Sequence, residues 1–185
     1  MMGDIYHWNI NGLKCKKSIN YKEKTQTLTS ILENNNSTFI LNVQETHIPS
    51  ECDLPKFFNL YKHIYHFENT FSRNEDPSSG ILICIRKTEE IIIREIIVNG
   101  RLLYLKIKNT ATNRIYNIYS IYSKSGNSEK QKSLISKLRE KIMLNQTPLE
   151  NCIILGDINF ATSLLDRNSQ CLNRVDLETN KMWAP

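Results

Sequence analysis

Several patterns that would place a protein in a membrane or outside the cell are missing from this sequence. No run of about 18 apolar residues occurs along its 185 residues, so no membrane-spanning helix is expected. Its first ten residues, MMGDIYHWNI, lack the basic start and the long apolar stretch of a secretory signal peptide. We therefore expect an intracellular protein, nuclear or cytoplasmic, that is not secreted and has no membrane partner.

Paired cysteines, internal repeats and long linkers are missing as well. The five cysteines form no C-x-x-C pair and two lie inside apolar runs, which favours reduced core thiols over disulfides or zinc ligands. A chain of 185 residues without a linker is typical of one domain, here residues 1–185. The net charge of +5 is compatible with a polyanionic partner, but also with an ordinary solvated surface.

What the sequence does contain is a series of short strands and two helices. Nearly all-apolar runs predict strands buried on both faces over 5–10, 39–43, 81–85 and 152–155. Asn99-Gly100 predicts a β-hairpin with a type I′ turn between strands 91–98 and 101–108, and a further strand is expected over 114–122. Helices are predicted over 22–33 and 128–144, the second starting with a capping box of Ser128 and Gln131, and 67–79 is expected to be a surface loop. This order predicts an α/β (α+β) fold in which helices cover a layered β-structure.

Three of the apolar strands end in polar side chains. These are Asn9 and Asn11 after the first strand, Gln44 and Glu45 after the second, and Asp157 and Asn159 after the last. If the strands are neighbours, these groups gather at one edge of the sheet. Oxygen ligands suit a hard cation such as Mg²⁺ or Mn²⁺, and neutral amides can donate hydrogen bonds to phosphate, so the chemistry indicates metal-assisted phosphoester cleavage. From spacing alone, however, the simpler interpretation that these residues cap turns is favoured.

Five segments occur in the order and rough spacing of the endonuclease/exonuclease/phosphatase superfamily: WNINGL, NVQETHIP, SSGILICIRK, RIYNIYSIYSKSG and CIILGDINF. Together they most closely resemble the apurinic-endonuclease-like domain of LINE-type (non-LTR) retrotransposons. Asn11 and His47 match that branch, because abasic-site repair enzymes commonly carry Asp and Lys at these two positions. The segment LLDRNSQ also resembles the retroelement version. The resemblance covers nearly the whole chain and implies a sandwich of two mixed β-sheets flanked by helices.

The resemblance also implies a role for each polar strand end. Glu45 matches the principal metal-binding carboxylate, with Mg²⁺ as the expected cofactor and Mn²⁺ as the alternative. Asn9 matches the amide that helps hold the metal site and its catalytic network. Asp157 matches the acid that orients and activates the attacking water, and Asn159 matches the amide that fixes Asp157 and binds the scissile phosphate.

Family members also contact the phosphate through a tyrosine. Tyr119 fits that motif best, although Ile121 stands where a proline is usual, and Tyr122 is the alternative. We interpret His47 as a supporting or structural residue rather than a catalytic one.

DNA contacts are expected around the turn that follows the first strand. Asn11, like Asn159, is expected to bind nucleic acid, and Lys14, Lys16 and Lys17 follow directly on the turn. Replacing the three lysines with Ala is predicted to lower DNA affinity and to flatten its salt dependence.

Two family motifs have no counterpart in this sequence: an S-R-I-D-like strand and a terminal S-D-H motif, whose His and Asp help to handle protons and the phosphate. We therefore expect a C-terminally truncated domain that lacks the last strands of the fold and nicks DNA little or not at all alone. The favoured interpretation is a Mg²⁺-dependent DNA endonuclease domain of a retrotransposon, which leaves a 3′-hydroxyl primer for a downstream reverse-transcriptase domain of the same polyprotein. The alternatives are a catalytically silent retroelement fragment that at most binds nucleic acid, and an abasic-site DNA repair nuclease.

Overall fold

The computed structural model describes residues 4–13, 19–34, 39–51, 54–72, 76–124, 127–146 and 148–159. Within these ranges the chain forms eight strands, three α-helices and one turn of 3₁₀ helix. In chain order they are β1 (Asp4–Asn9), α1 (Ile19–Glu33), β2 (Phe39–Gln44), α2 (Phe58–Tyr61), β3 (Tyr65–Thr70), β4 (Ile81–Arg86), β5 (Glu89–Val98), β6 (Leu102–Asn109), β7 (Ile115–Tyr122), α3 (Ser128–Asn145), the 3₁₀ turn (Leu149–Asn151) and β8 (Cys152–Asp157). No helix among these residues is long and apolar enough to cross a membrane.

Two four-stranded sheets form the centre of the fold. The strand orders are β1-β2-β4-β3 and β5-β6-β7-β8. In the first sheet β1 is parallel to β2 and the other pairs are antiparallel. In the second sheet β8 is parallel to β7 and the other pairs are antiparallel. The predicted sandwich of two mixed sheets flanked by helices is therefore confirmed.

The alternation of side chains along the central strands explains why these strands are apolar throughout. In β4, Leu82 and Cys84 point into a core that also contains Leu28 and Leu32 of α1, while Ile81, Ile83 and Ile85 point into the core between the sheets. In β6, Leu103 faces the core between the sheets and Leu102 faces the core beneath α3. Because a strand with apolar side chains on both faces must be covered on both sides, the fold is layered as helix, sheet, sheet, helix.

Several local predictions differ from the structure. β3 occupies part of the predicted loop 67–79, and α2 was not anticipated. β1 and β8 are edge strands within the described part of the chain; β1 is mostly exposed and β8 is partly buried, although their apolar runs predicted full burial. A short apolar run does not distinguish a central strand from an edge strand that is covered on one face.

The hairpin turn and the N-cap of α3 also differ from prediction. The β5–β6 hairpin closes with Gly100 at φ 69° and a hydrogen bond from the Arg101 N–H to the Val98 carbonyl at 3.0 Å, while Asn99 keeps a negative φ. A type I′ turn requires positive φ at both central residues, so that prediction is wrong. The N-cap of α3 is Asn127, whose side chain accepts from the Lys130 N–H at 2.9 Å, so the predicted capping box of Ser128 and Gln131 is wrong.

Candidate active site

Three of the predicted site residues meet where the strands end. Because β1 is parallel to β2 and β7 to β8, the carboxyl ends of each pair lie at one edge of their sheet. At this edge the Asn9 amide nitrogen donates a hydrogen bond to Glu45 Oε1 at 2.9 Å and a longer one to Asp157 Oδ2 at 3.4 Å. One neutral amide thus stands between two carboxylates from different sheets and reduces the repulsion between them.

The backbone at this edge is held in unusual conformations. Six described non-glycine residues have positive φ, and four of them lie here: Asn11 at 47°, Glu45 at 53°, His47 at 55° and Asn159 at 55°. Each such residue costs on the order of 1 kcal/mol relative to ordinary backbone. Strain of this kind is typical of functional sites, where the surrounding structure holds the chain in place.

Gln44 ties the two sheets together directly behind the site. Its side chain is fully buried, its amide donates to the Ile121 carbonyl at 2.6 Å, and its oxygen accepts from the Asp157 N–H at 2.9 Å. A second bond between the sheets runs from Ser120 Oγ to Asn42 Oδ1 at 2.7 Å. The position of Asp157 relative to Glu45 is therefore fixed by buried side-chain bonds as well as by the backbone.

Gly156 permits this close approach. It has φ 150°, and a Cβ added there would lie 1.8 Å from the Ile121 carbonyl oxygen and 2.7 Å from the Gln44 amide nitrogen. Real Cβ atoms do not approach other atoms so closely, so only glycine fits between β7 and the Gln44 side chain.

Tyr122, and not Tyr119, is the tyrosine at the site. The Tyr122 hydroxyl donates a short hydrogen bond to Glu45 Oε1. Tyr119 is fully buried beneath α3, stacks on Tyr104, and its hydroxyl accepts from the Asn145 side chain at 2.7 Å. Side chains alternate along a strand, so residues three apart point to opposite faces of β7. This corrects the assignment made from the sequence motif.

The environment of Tyr122 favours its protonated form. Burial, followed by the hydrogen bond to Glu45 and its charge, raises the pKa of the Tyr122 hydroxyl, and Arg101 opposes this shift. The Arg101 guanidinium lies 4.4 Å from the centre of the Tyr122 ring and is paired with Asp76 at 2.5 Å. The Tyr122 hydroxyl is therefore a hydrogen-bond donor at neutral pH. Arg101, which is held by Asp76, packs on the Tyr122 ring and fixes its position.

Asn159 is positioned from several sides. Its backbone N–H donates to Asp157 Oδ1 at 2.9 Å, and its side-chain amide donates to the Ser123 carbonyl at 2.5 Å. The buried Gln131 amide donates to the Asn159 carbonyl and to the Lys124 carbonyl, both at 3.1 Å. Asn159 thus orients the Asp157 carboxylate and retains a second amide hydrogen, since a side-chain amide carries two.

His47 lies beside Glu45, and one of its ring nitrogens has no hydrogen-bond partner among the described residues. His47 Nε2 is 3.7 Å from Glu45 Oε2 and is buried without a hydrogen-bond partner. The ring packs on Gly12, where a Cβ would lie 2.9 Å from His47 Nδ1. Burial lowers the pKa of His47, with Lys24 and Arg101 adding to the shift and Glu45 opposing it, so the ring is neutral at pH 7.

The expected DNA-binding residues are only partly described. Asn11 is exposed next to the site, its N–H donates to Asn9 Oδ1 at 3.3 Å, and its carbonyl accepts from Lys24 at 2.8 Å. Lys14, Lys16 and Lys17 lie outside the described residues, so their role stays a prediction.

The donor atoms at this edge fit a hard cation. Among the described residues, no group of three or more His, Cys, Asp or Glu side chains is placed to hold a metal ion. A structural zinc site is closed by four protein ligands, so this edge does not suit one. Mg²⁺ needs only one or two protein carboxylates, because water and substrate phosphate supply its other ligands. Glu45 and Asp157, bridged by Asn9, provide such a set, and His47 Nε2 lies 3.7 Å from Glu45 Oε2.

Sequence reasoning placed Gln44 at a strand end without giving it a role in the site, and it did not connect Gln131 with the site. Both side chains are buried, Gln44 at the end of an apolar strand and Gln131 in the charged first turn of α3, and both bond to the chain at or near Asp157. A glutamine at the end of an apolar strand was a usable signal, because buried amides almost always have specific partners. Gln131 was assigned to a helix cap, and only the tertiary structure shows that it reaches across to Asn159.

Comparison with known proteins identifies the fold. No family model matches the sequence, and no curated protein matches it. Solved structures do match: D. rerio TDP2 complexed with single-strand DNA product has a TM-score of 0.61 and 20% identity over 85% of this chain and 60% of that one. The human Nocturnin catalytic domain with bound sulfate has a TM-score of 0.61 and 14% identity over 86% and 65% of the two chains.

A third match is an endonuclease/exonuclease/phosphatase family protein from Bacteroides thetaiotaomicron, with a TM-score of 0.63 and 13% identity over 84% of this chain and 62% of that one. The chain thus spans less than two thirds of the length of each of these proteins. At such low identities the likeness concerns the fold. The chain has the two-sheet α/β sandwich fold of the endonuclease/exonuclease/phosphatase proteins.

Proposed function

We propose that this protein is a metal-dependent phosphodiesterase that cuts DNA internally. The observation that carries the proposal is the convergence of Glu45, Asn9 and Asp157 at the carboxyl ends of parallel strands. The Tyr122 hydroxyl also donates to Glu45 there. The shared fold supports it, since one protein of that fold, D. rerio TDP2, is complexed with a single-strand DNA product.

Glu45 and Asn9 would hold a Mg²⁺ ion, with Mn²⁺ as the alternative. When bound, the ion would polarise a phosphoryl oxygen and offset the negative charge that develops on it. The Asn9 amide bonds to both Glu45 and Asp157, so the two carboxylates can lie close together while both are charged. Tyr122 donates to Oε1 of Glu45, and Oε2 takes no part in that bond.

Asp157 is the group that would take a proton from the attacking water. The Asn159 N–H holds its Oδ1 and Asn9 contacts its Oδ2, while the Gln44 side chain holds its backbone N–H. A carboxylate held at both oxygens presents a fixed direction to a water molecule, which is what general-base catalysis requires. The remaining amide hydrogen of Asn159 can donate to a phosphate oxygen.

The sequence motifs support a narrower proposal, that the chain derives from a LINE-type retrotransposon and leaves a 3′-hydroxyl that primes reverse transcription. The partner would then be DNA, with a reverse-transcriptase domain acting on the nick, in the nucleus or cytoplasm. An assay with protein in excess over DNA detects slow nicking as well as fast nicking.

A single-turnover nicking assay on supercoiled plasmid with Mg²⁺ tests the proposal. We expect slow nicking by the wild type that Glu45→Gln and Asp157→Asn each reduce at least 100-fold, because each removes a charge at the reaction centre. The matched control is Glu23→Gln on the exposed face of α1, which should nick like the wild type. The nicked ends should be extended by a DNA polymerase, which requires a 3′-hydroxyl.

Two further measurements separate the alternatives. Mn²⁺ binding, followed by the loss of the free-ion electron paramagnetic resonance signal, should weaken at least tenfold in Glu45→Gln. Equal metal affinity and equal nicking in wild type and Glu45→Gln would refute the proposal. Metal and DNA binding without any nicking would instead favour a catalytically silent protein, and a strong preference for duplex with an abasic site would favour a repair nuclease.

A further inference from the structure

A groove of about 790 Å³ lies next to the candidate site, between the end of the β5–β6 hairpin and the first half of α3. None of the residues assigned to DNA binding from the sequence line it. Its walls carry Lys124, Lys130 and Lys137 on one side and Ile97 and Val98 on the other.

The groove has an excess of positive charge. Lys130 and Lys137 are seven residues apart on α3 and therefore lie on the same face of the helix, two turns apart. Both are exposed, and neither forms an ion pair with a described residue. Of the two acids that line the groove, Asp76 is paired with Arg101 and, at 4.0 Å, with Lys124, so Glu129 is the acid left to oppose Lys130 and Lys137.

The opposite wall is apolar because of an irregularity in the hairpin. The register between β5 and β6 shifts between Ile96 and Val98, which inserts Ile97 as an extra residue. As a result Ile97 and Val98 both pack against the core beneath α3, whereas Ile96 packs between the sheets. Both side chains remain partly exposed towards the groove.

Ser123 connects the groove to the active-site edge. It lines the groove, and the Ser123 backbone accepts from the Asn159 side chain and donates to the Asp157 carbonyl at 2.8 Å. Lys124 follows directly in the chain, and its carbonyl is held by Gln131. One end of the groove is therefore a single hydrogen bond away from Asn159 at the site.

We propose that this groove binds a single strand of nucleic acid adjoining the site, with phosphates on Lys130 and Lys137 and bases against Ile97 and Val98. The inference rests on the proposed function. A double helix keeps its bases stacked inside and would contact the lysines alone, whereas an unstacked strand can also place its bases on the apolar wall. The groove thus favours an unstacked strand over duplex of the same sequence.

Fluorescence anisotropy with a labelled 12-nucleotide strand tests this, in EDTA so that the measurement does not depend on cleavage. Lys130→Glu/Lys137→Glu should weaken binding of the single strand at least tenfold and reduce the slope of log affinity against log salt by about 1.4, since each phosphate contributes about 0.7. The matched control is Lys56→Glu/Lys62→Glu, which makes the same charge change at exposed positions outside the groove and should alter affinity less than threefold.

Three comparisons complete the test. Ser133→Glu, which places a negative charge on the exposed groove wall and removes no lysine, should also weaken binding, and thermal unfolding should show that all variants fold. RNA of the same sequence should bind through the same lysines, because the phosphodiester chemistry is shared. Equal losses in both lysine pairs, or a loss of duplex binding in Lys130→Glu/Lys137→Glu as large as the loss of single-strand binding, would overturn the groove proposal. A protein that binds strands as expected but does not nick would overturn the proposed function and leave the groove in place.

Discussion

Replacing Gln44 with Met tests whether one buried amide holds the two sheets in register at the active site. Met has a similar length and is apolar, so the substitution preserves volume and removes both hydrogen bonds, at 2.6 Å to the Ile121 carbonyl and 2.9 Å from the Asp157 N–H. Each partner left unsatisfied costs about 1–3 kcal/mol. Carbonyl oxygens have two lone pairs and Ile121 also lies in the sheet, so we expect a total loss near the lower half of that sum, about 2–4 kcal/mol.

Urea unfolding followed by circular dichroism measures this loss. Gln26→Met, the same change at an exposed position of α1, is the matched control and should shift the free energy of unfolding by less than about 0.5 kcal/mol. A loss below about 1 kcal/mol for Gln44→Met, or one equal to the control, would refute the idea that the side chain links the sheets. Nicking should also fall in Gln44→Met under conditions where the protein is folded, since Asp157 loses a fixed backbone contact.

Three further predictions follow from the site. Gly156→Ala should destabilise the fold by about 2–4 kcal/mol in urea unfolding, because the added Cβ would meet the backbone of β7, and wild-type stability would contradict this. Tyr122→Phe should lower the nicking rate about 10- to 100-fold by removing the bond to the metal-site carboxylate, whereas Tyr119→Phe should affect stability only; equal nicking rates would show that the wrong tyrosine was chosen. Burial would raise the pKa of Asp76, but hydrogen bonds and the charge of Arg101 lower it overall, so its stabilising effect is present above about pH 4 and is lost as pH falls through the lowered pKa; Asp76→Asn should flatten the stability profile below about pH 4.

Local patterns predicted the elements that depend on neighbouring residues. The hairpin around Asn99-Gly100 and helix α3 were located within a residue or two, because periodicity and turn residues act over short distances. The hairpin's turn type and the helix cap were wrong, since both depend on one backbone angle or one side-chain bond. β3 was missed because its sequence, YHFENT, is too polar to resemble a buried strand.

The two tyrosines show the limit of reasoning from motifs. Tyr119 and Tyr122 lie on one strand with similar neighbours in sequence, and the motif favoured Tyr119, which does not contact Glu45. Which of them reaches Glu45 depends on which face of β7 looks towards the first sheet. That is set by packing: Ile118 and Tyr122 join the core between the sheets, while Tyr119 and Ile121 join the core beneath α3.

By itself the sequence determined that the chain forms layered β-structure covered by helices and that polar groups follow three of its strands. Those features are local, because apolar runs and strand-end residues are adjacent in the chain. Only the tertiary structure decided that Asn9, Glu45 and Asp157 touch, since the last of these lies 148 residues from the first. Their meeting depends on the order of strands in two sheets and on the buried Gln44 that joins the sheets, and neither can be inferred from the spacing of residues along the chain.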